Sequence, residues 1–130
     1  MMKTKIILLV TVMLFLFNFA GCCADEQPAT YEQITPEEAK ILMDNESDYV
    51  ILDVRTEEEF AEGHIENAVL IPDYEIESKA ELLLTDKNQM ILVYCRSGRR
   101  SKLASEKLVS LGYTNVKEFG GIIDWKYEIV

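Results

Sequence analysis

Seven consecutive residues, Cys95-Arg96-Ser97-Gly98-Arg99-Arg100-Ser101, gather one thiol, three guanidinium groups and two hydroxyls around a single glycine. A thiol becomes a nucleophile as its thiolate, and a basic loop at a helix start favours that form. Forked guanidinium groups match oxyanions better than ammonium groups do. Gly98 permits left-handed backbone, which lets successive N–H groups turn inward as an anion nest. Ser101 reads most simply as the cap of the following helix, with a hydroxyl to spare as a donor. The chemistry implied is attack by the Cys95 sulfur on a small anionic substrate held by Arg96, Ser97, Gly98, Arg99, Arg100 and Ser101, though the three arginines need not all touch substrate and one can instead brace the loop through carbonyls or a nearby acid. The bland alternative is a buried, inert cysteine and an ordinary turn glycine.

The flanking sequence supplies the elements that must hold this loop. Met90 to Tyr94 is an apolar run suited to a buried strand, and Ser101 to Leu111 carries helical periodicity. On that helix Ala104, Leu108 and Leu111 share a face, joined by Leu103, and Gly112 sits where a left-handed cap belongs. The thiol is thus delivered to the carboxyl end of a strand, where open α/β sheets place ligands. The helix start turns free N–H groups and partial positive charge toward it.

Upstream, Tyr31 to Ile34 reads as a short strand. Thr35-Pro36-Glu37-Glu38 opens a helix with a capping box and a proline at the first position, running to about Met43. Tyr49 to Val54 is a continuous apolar run ending near an acid, as in a strand covered on both faces. Thr56 and Glu59 form a second capping box, for a helix through Ala61 that Gly63 ends. Val69 to Ile71 is a third strand, and Glu75 to Leu84 a helix with Ala80, Leu83 and Leu84 inward. Val116 to Phe119 is the last strand, Gly120-Gly121 turns the chain, and Ile122 to Trp125 makes a final helical turn. Alternating strands and helices predict an α/β fold: a central parallel sheet of about five strands with helices on both faces.

Length and charge narrow the function. The chain has 130 residues, enough for one domain, and a net charge of −10. Lys3 and Lys5 lie in the first 21 residues, which hold no acid; without them 11 basic groups face 23 acidic ones, a net of −12. Such a surface repels nucleic acid, while the arginines of the loop form a local basic island able to draw in a small anion.

Residues 1–21 read as a signal peptide: a short basic start, then an apolar stretch from Ile6 to Ala20, too short for an ordinary membrane span. Phe19-Ala20-Gly21-Cys22 resembles a bacterial lipobox, with phenylalanine where an aliphatic residue is usual. The resemblance implies cleavage before Cys22 and its lipidation, with residues 22–30 as the tether of a domain spanning 31–130. The expected location is extracytoplasmic, on a membrane surface; an uncut signal anchor is the alternative. Cys23 and Cys95 then remain, too few for a disulfide framework.

His64 is the only histidine, so a His-rich metal site is excluded. It reads as a structural hydrogen-bonding group more readily than as a base. Asp53 and Arg55 read as members of a mutual or neighbouring ion pair organising the loops near the site rather than as groups acting on substrate. Trp125 and Tyr127 suit the core or a lid over the last turn.

Taken together, these segments carry a family likeness. Ile51-Leu52-Asp53-Val54-Arg55, Glu59-Phe60, Gly63-His64-Ile65 and Ala68 through Ile71-Pro72 resemble the first signature of rhodanese domains. Val93 through Ser101 resembles their active loop. Leu111-Gly112-Tyr113, Val116, Gly120-Gly121-Ile122 and Trp125 resemble their closing segment. The likeness spans about Tyr31 to Glu128 and departs at Asn67, where a glycine is usual. It implies a sulfurtransferase in which Cys95 takes the outer sulfur of thiosulfate or a similar donor as a persulfide. Cyanide or a thiol then accepts it, with no cofactor and no metal. Arg96 would hold the donor, and Arg100 resembles the family's loop-closing arginine. Related tyrosine phosphatases and arsenate reductases place one more residue between Cys and Arg; four residues separate Cys95 from Arg100, which favours sulfur. A partner-binding module without activity and a persulfide or redox sensor are the other readings. A monomer is expected.

Overall fold

The computed structural model describes residues 30–130; the predicted leader, Cys22 and nearly all of the tether lie outside the described residues. Five strands form one wholly parallel sheet in the order β1-β5-β4-β2-β3. They are β1 (Glu32–Gln33), β2 (Tyr49–Asp53), β3 (Val69–Leu70), β4 (Met90–Cys95) and β5 (Val116–Gly121). The helices are α1 (Pro36–Asn45), α2 (Glu57–Glu62), α3 (Ile76–Leu83) and α4 (Arg99–Ser110), with 3-10 turns at Asp73–Glu75 and Ile122–Asp124. The α/β architecture with helices on both faces is the one the alternation predicts.

Alternation along the central strands divides the core. Leu52, Val93 and Cys95 face α3 and α4 through Ile76, Ala80, Ala104 and Leu108. Ile51, Leu92 and Tyr94 pack on the other side with Ala39 of α1, Phe119 of β5 and Trp125 of the C-terminal segment. The period-two side-chain pattern therefore puts the thiol in one layer and its neighbour Tyr94 in the other.

Both capping boxes form. Thr35 Oγ1 accepts from Glu38 N–H while Glu38 accepts from Thr35 N–H, and Thr56 and Glu59 do the same. Several local expectations need correction. Leu83 is 54% exposed and Leu103 47% exposed. The buried stripe of α3 runs instead through Ile76 and Ala80 to Leu84 just past its end, spaced by four, and α4 buries Ala104 and Leu108 with Leu111 packed against the same core. Gly120 and Gly121 belong to β5 itself, where the ladder with β4 slips between Val93 and Cys95. Asn67, standing where a glycine is usual, takes φ of 65°, a left-handed turn that asparagine tolerates.

Candidate active site

β2 connects outward to β3, and β4 connects the opposite way to β5, so the carboxyl ends of β2 and β4 flank the crevice where such sheets hold ligands. Asp53 is in register with Tyr94, which sets Cys95 beside the segment leaving β2.

Cys95 ends β4 fully buried. Gly98 then turns at φ 106°, donates its N–H to Cys95 Sγ at 3.0 Å and caps α4. A side chain there would be strained by the positive φ and would sit 3.5 Å from Gly120 Cα. Ser101 is not the cap: α4 begins two residues earlier, at Arg99, and Ser101 is buried inside its first turn. Its Oγ lies 3.3 Å from Cys95 Sγ. Capping passes to glycine because the chain must reverse tightly to lay an amide on the sulfur. Of the expected ring of amides, Gly98 alone is hydrogen-bonded to the sulfur.

The helix opening is electrostatically unusual. α1 and α2 start with acids, as the helix dipole prefers; α4 starts with Arg99 and Arg100 and no acid. Cations stacked on a positive helix end repel it, and a bound anion would relieve both. Arg96, Ser97 and Arg99 are exposed. Arg100, expected among the anion-holding groups, commits its guanidinium to Glu59 at 2.8 and 2.9 Å, bracing the loop against α2. Arg100 holds the Glu59 carboxyl at about 2, below the ordinary carboxylate range, with help from Thr56.

Behind the loop lies a buried polar network. Arg55 Nε and Nη2 bond both oxygens of Asp53 at 2.7–3.1 Å, and Nη2 also reaches Gly63 O at 2.7 Å. Tyr94 O–H donates to Asp53 at 2.6 Å and accepts from Ile65 N–H at 3.1 Å. Burial first, and Asp53 next, push the Tyr94 phenol well above its ordinary range, so it stays a donor. Asp53 and Arg55 thereby tie the end of β2 to the Gly63–Ile65 turn. His64 is stacked on Phe60 at 3.7 Å with Nδ1 2.9 Å from Phe60 O.

A cleft of about 330 Å³ opens beside the loop, lined by Arg55, Glu59, Glu62, Arg96, Ile122 and Ile123. A larger one of about 700 Å³ lies in the α1 layer, around Tyr49, Trp125 and Tyr127, and is lined by no cysteine. The loop is pinned from below by β5. A Cβ on Gly121 would fall 2.0 Å from Arg96 O, and Ile123 N–H donates to that oxygen at 3.2 Å.

Three residues near the site are not reached by the sequence reasoning: Glu59 as partner of Arg100, Tyr94 on Asp53, and Glu118 on Ser101 at 2.6 Å. Only Glu118 leaves a signal, as an acid at an inward position of an interior strand.

Comparison with known proteins follows the same residues. The thiosulfate sulfurtransferase PspE of Escherichia coli is 38% identical over 73 residues, covering 56% of this chain and 70% of that one. The adenylyltransferase and sulfurtransferase UBA4 of Candida albicans is 31% identical over 104 residues, 75% of this chain but only 24% of its own length. The crystal structure of a rhodanese-like domain protein from Staphylococcus aureus superposes with a TM-score of 0.65 at 36% identity, covering 75% of this chain and 93% of that one. The family model described as the rhodanese-like domain matches residues 35–128, and the chain belongs to that family.

Proposed function

We propose that the protein is a sulfurtransferase that carries sulfane sulfur on Cys95 as a persulfide. The Cys95 thiolate attacks the outer sulfur of thiosulfate or a similar anionic donor. The new S–S bond forms as the old one breaks, and sulfite leaves with the bonding pair. Cyanide or a thiolate then attacks the outer persulfide sulfur and restores the thiolate. Arg96, on the cleft beside the loop, holds the donor and offsets charge on the departing anion. Because Cys95 is fully buried, the exposed Arg96 and Ser97 side chains move aside to admit the donor. Arg100 and Glu59 keep the rest of the loop in place. The reading includes a monomeric domain, tethered outside the cytoplasm by lipid on Cys22.

The observation that carries this reading is the Gly98 N–H on Cys95 Sγ, at the start of a helix whose first turn is basic. Incubation with thiosulfate followed by intact mass tests it. A gain of one sulfur atom, removed by cyanide and absent in Cys95→Ala, is expected. A protein that gains no sulfur and hydrolyses phosphate esters instead refutes it, and so does one inert to both.

A further inference from the structure

We propose that Glu118 takes the Cys95 proton through Ser101, turning thiol into thiolate inside the closed site. Glu118 sits on β5, an interior strand, and is 2% exposed. Among the described residues no lysine or arginine bonds it. Its Oε1 accepts only from Ser101 O–H at 2.6 Å and Gly120 N–H at 2.8 Å. A carboxylate buried without a cation loses its hydration and gains no opposite charge in return. An apolar side chain would serve the core at that position better, so the acid calls for a role.

The direction of the hydrogen bonds supplies one. Ser101 Oγ has a single proton and four neighbours: Glu118 Oε1 at 2.6 Å, Gly98 O at 3.0 Å, Cys95 Sγ at 3.3 Å and Gly120 O at 3.4 Å. The carboxylate is both the nearest and the charged acceptor, so it takes that proton. The lone pairs of Oγ then face the sulfur, and the thiol S–H donates to them. The result is a continuous line, S–H to O–H to carboxylate, entirely within the buried site. The ordinary partner for such a thiol is absent, because His64 is bonded to Phe60 O and stacked on its ring.

Transfer along the line balances. The S–H bond breaks as a bond forms to Ser101 Oγ, whose own proton moves to Glu118 Oε1. Negative charge moves from carboxylate to sulfur, and the total charge of the site is unchanged. No net charge has to enter the low-dielectric interior. The Gly98 N–H, 3.0 Å from the sulfur, then donates to the thiolate. Glu118 keeps the proton through both halves of a transfer cycle, since the acceptor step returns a thiolate. Glu118 touches no substrate and acts through Ser101. Its part in turnover rests on the sulfur-transfer reading; the proton shift itself does not.

While thiol and carboxylate hold one proton between them, its passage from one to the other exchanges none with solvent, so the thiolate share does not change with pH. The charged groups near the pair are Arg100, which lies close to Cys95 and Asp73 and is bonded to Glu59 of α2, the exposed Arg96 and Arg99 of the loop and α4, and the Asp53–Arg55 pair at the end of β2. The variants below leave all of them in place.

The experiment uses iodoacetamide, a neutral reagent that needs no sulfur donor, so its outcome is independent of whether sulfur transfer occurs. Alkylation of Cys95 is followed by peptide mass from pH 5 to 9 in wild type, Glu118→Gln and Ser101→Ala, alongside thermal melting. Wild type should show a flat segment. E118Q accepts the Ser101 hydrogen bond but not its proton, so its rate should fall about tenfold per pH unit below a single thiol ionisation. It should end at least about tenfold under wild type at pH 5. S101A keeps the Glu118 charge and should lose the flat segment too. A Gln variant as fast as wild type at pH 5, or faster, overturns the relay, because it means the carboxylate only opposes the thiolate. Should E118Q not fold, the same comparison with S101A decides.

Discussion

Replacing Gly121 with alanine should damage the active loop without removing any side chain that carries chemistry. Gly121 is in extended backbone, φ −128° and ψ 157°, which alanine adopts without strain. The obstacle is space. The new Cβ would lie 2.0 Å from Arg96 O, 2.3 Å from its carbonyl carbon and 2.5 Å from Ser97 N. Carbon and oxygen pack no closer than about 3.3 Å, so loop and strand must separate by more than 1 Å, on the order of a bond length. All three atoms are backbone, and no side-chain rotation relieves the clash. The loop must lift, stretching the Ile123 N–H bond to Arg96 O and withdrawing the Gly98 N–H from the sulfur. Overpacking of this kind costs about 1–3 kcal/mol, and the weakened hydrogen bond about 1 more. At about 4–8 °C per kcal/mol for a domain near 100 residues, melting should drop by roughly 10–30 °C. A displacement of about 1 Å at the nucleophile should lower thiosulfate–cyanide turnover by about 10²-fold. Gly112→Ala is the control. It has φ of 95° but meets only Lys87 side-chain atoms at 3.7 Å, far from the loop, at the end of α4. It should lose about 1 kcal/mol of stability to backbone strain and keep its turnover. A G121A protein with wild-type turnover, or a pair of variants that lose activity alike, would refute the steric argument.

Two more outcomes test the frame around the loop. Arg100 holds Glu59 at about 2, so the pair's stability is fully present above the ordinary carboxylate range near pH 4.3 and is lost as pH falls toward 2. With both side chains about one-quarter exposed, solvent screening leaves about 1–2 kcal/mol. Glu59→Gln, which retains the capping box, should be less stable by that amount at pH 7 and equal to wild type near pH 2; a gap constant with pH in denaturant titrations refutes the pairing. Cys22→Ala should release the protein from membranes or block its maturation, and unchanged fractionation and mass count against a lipid anchor.

Signals acting within four residues of chain were legible. Thr35 with Glu38 and Thr56 with Glu59 announce helix starts because each cap closes on its own turn. The apolar runs from Tyr49 and from Met90 announce strands covered on both faces, and the sheet places them side by side. Arg100 and Glu59 meet across 41 positions, as do Tyr94 and Asp53, and no local pattern reports such partners. Leu83 and Leu103 mislead for a related reason: each lies one residue from a buried stripe, and only packing decides which is left outside.

The start of α4 differs in kind. Serine is among the preferred caps and arginine is disfavoured in a first turn, so local rules begin the helix at Ser101. The chain begins it at Arg99, caps it with a left-handed glycine, buries the serine against the thiol, and opens on two cations. Each departure costs stability by itself. Together they bring an amide, a hydroxyl and positive charge to one sulfur, and β5 adds an uncompensated glutamate behind the hydroxyl. Places where every local preference is overruled in the same direction are where a fold holds a strained arrangement for use. In this chain that place is the junction of β4 and α4, and Glu118 is as much a part of it as the loop that the sequence displays.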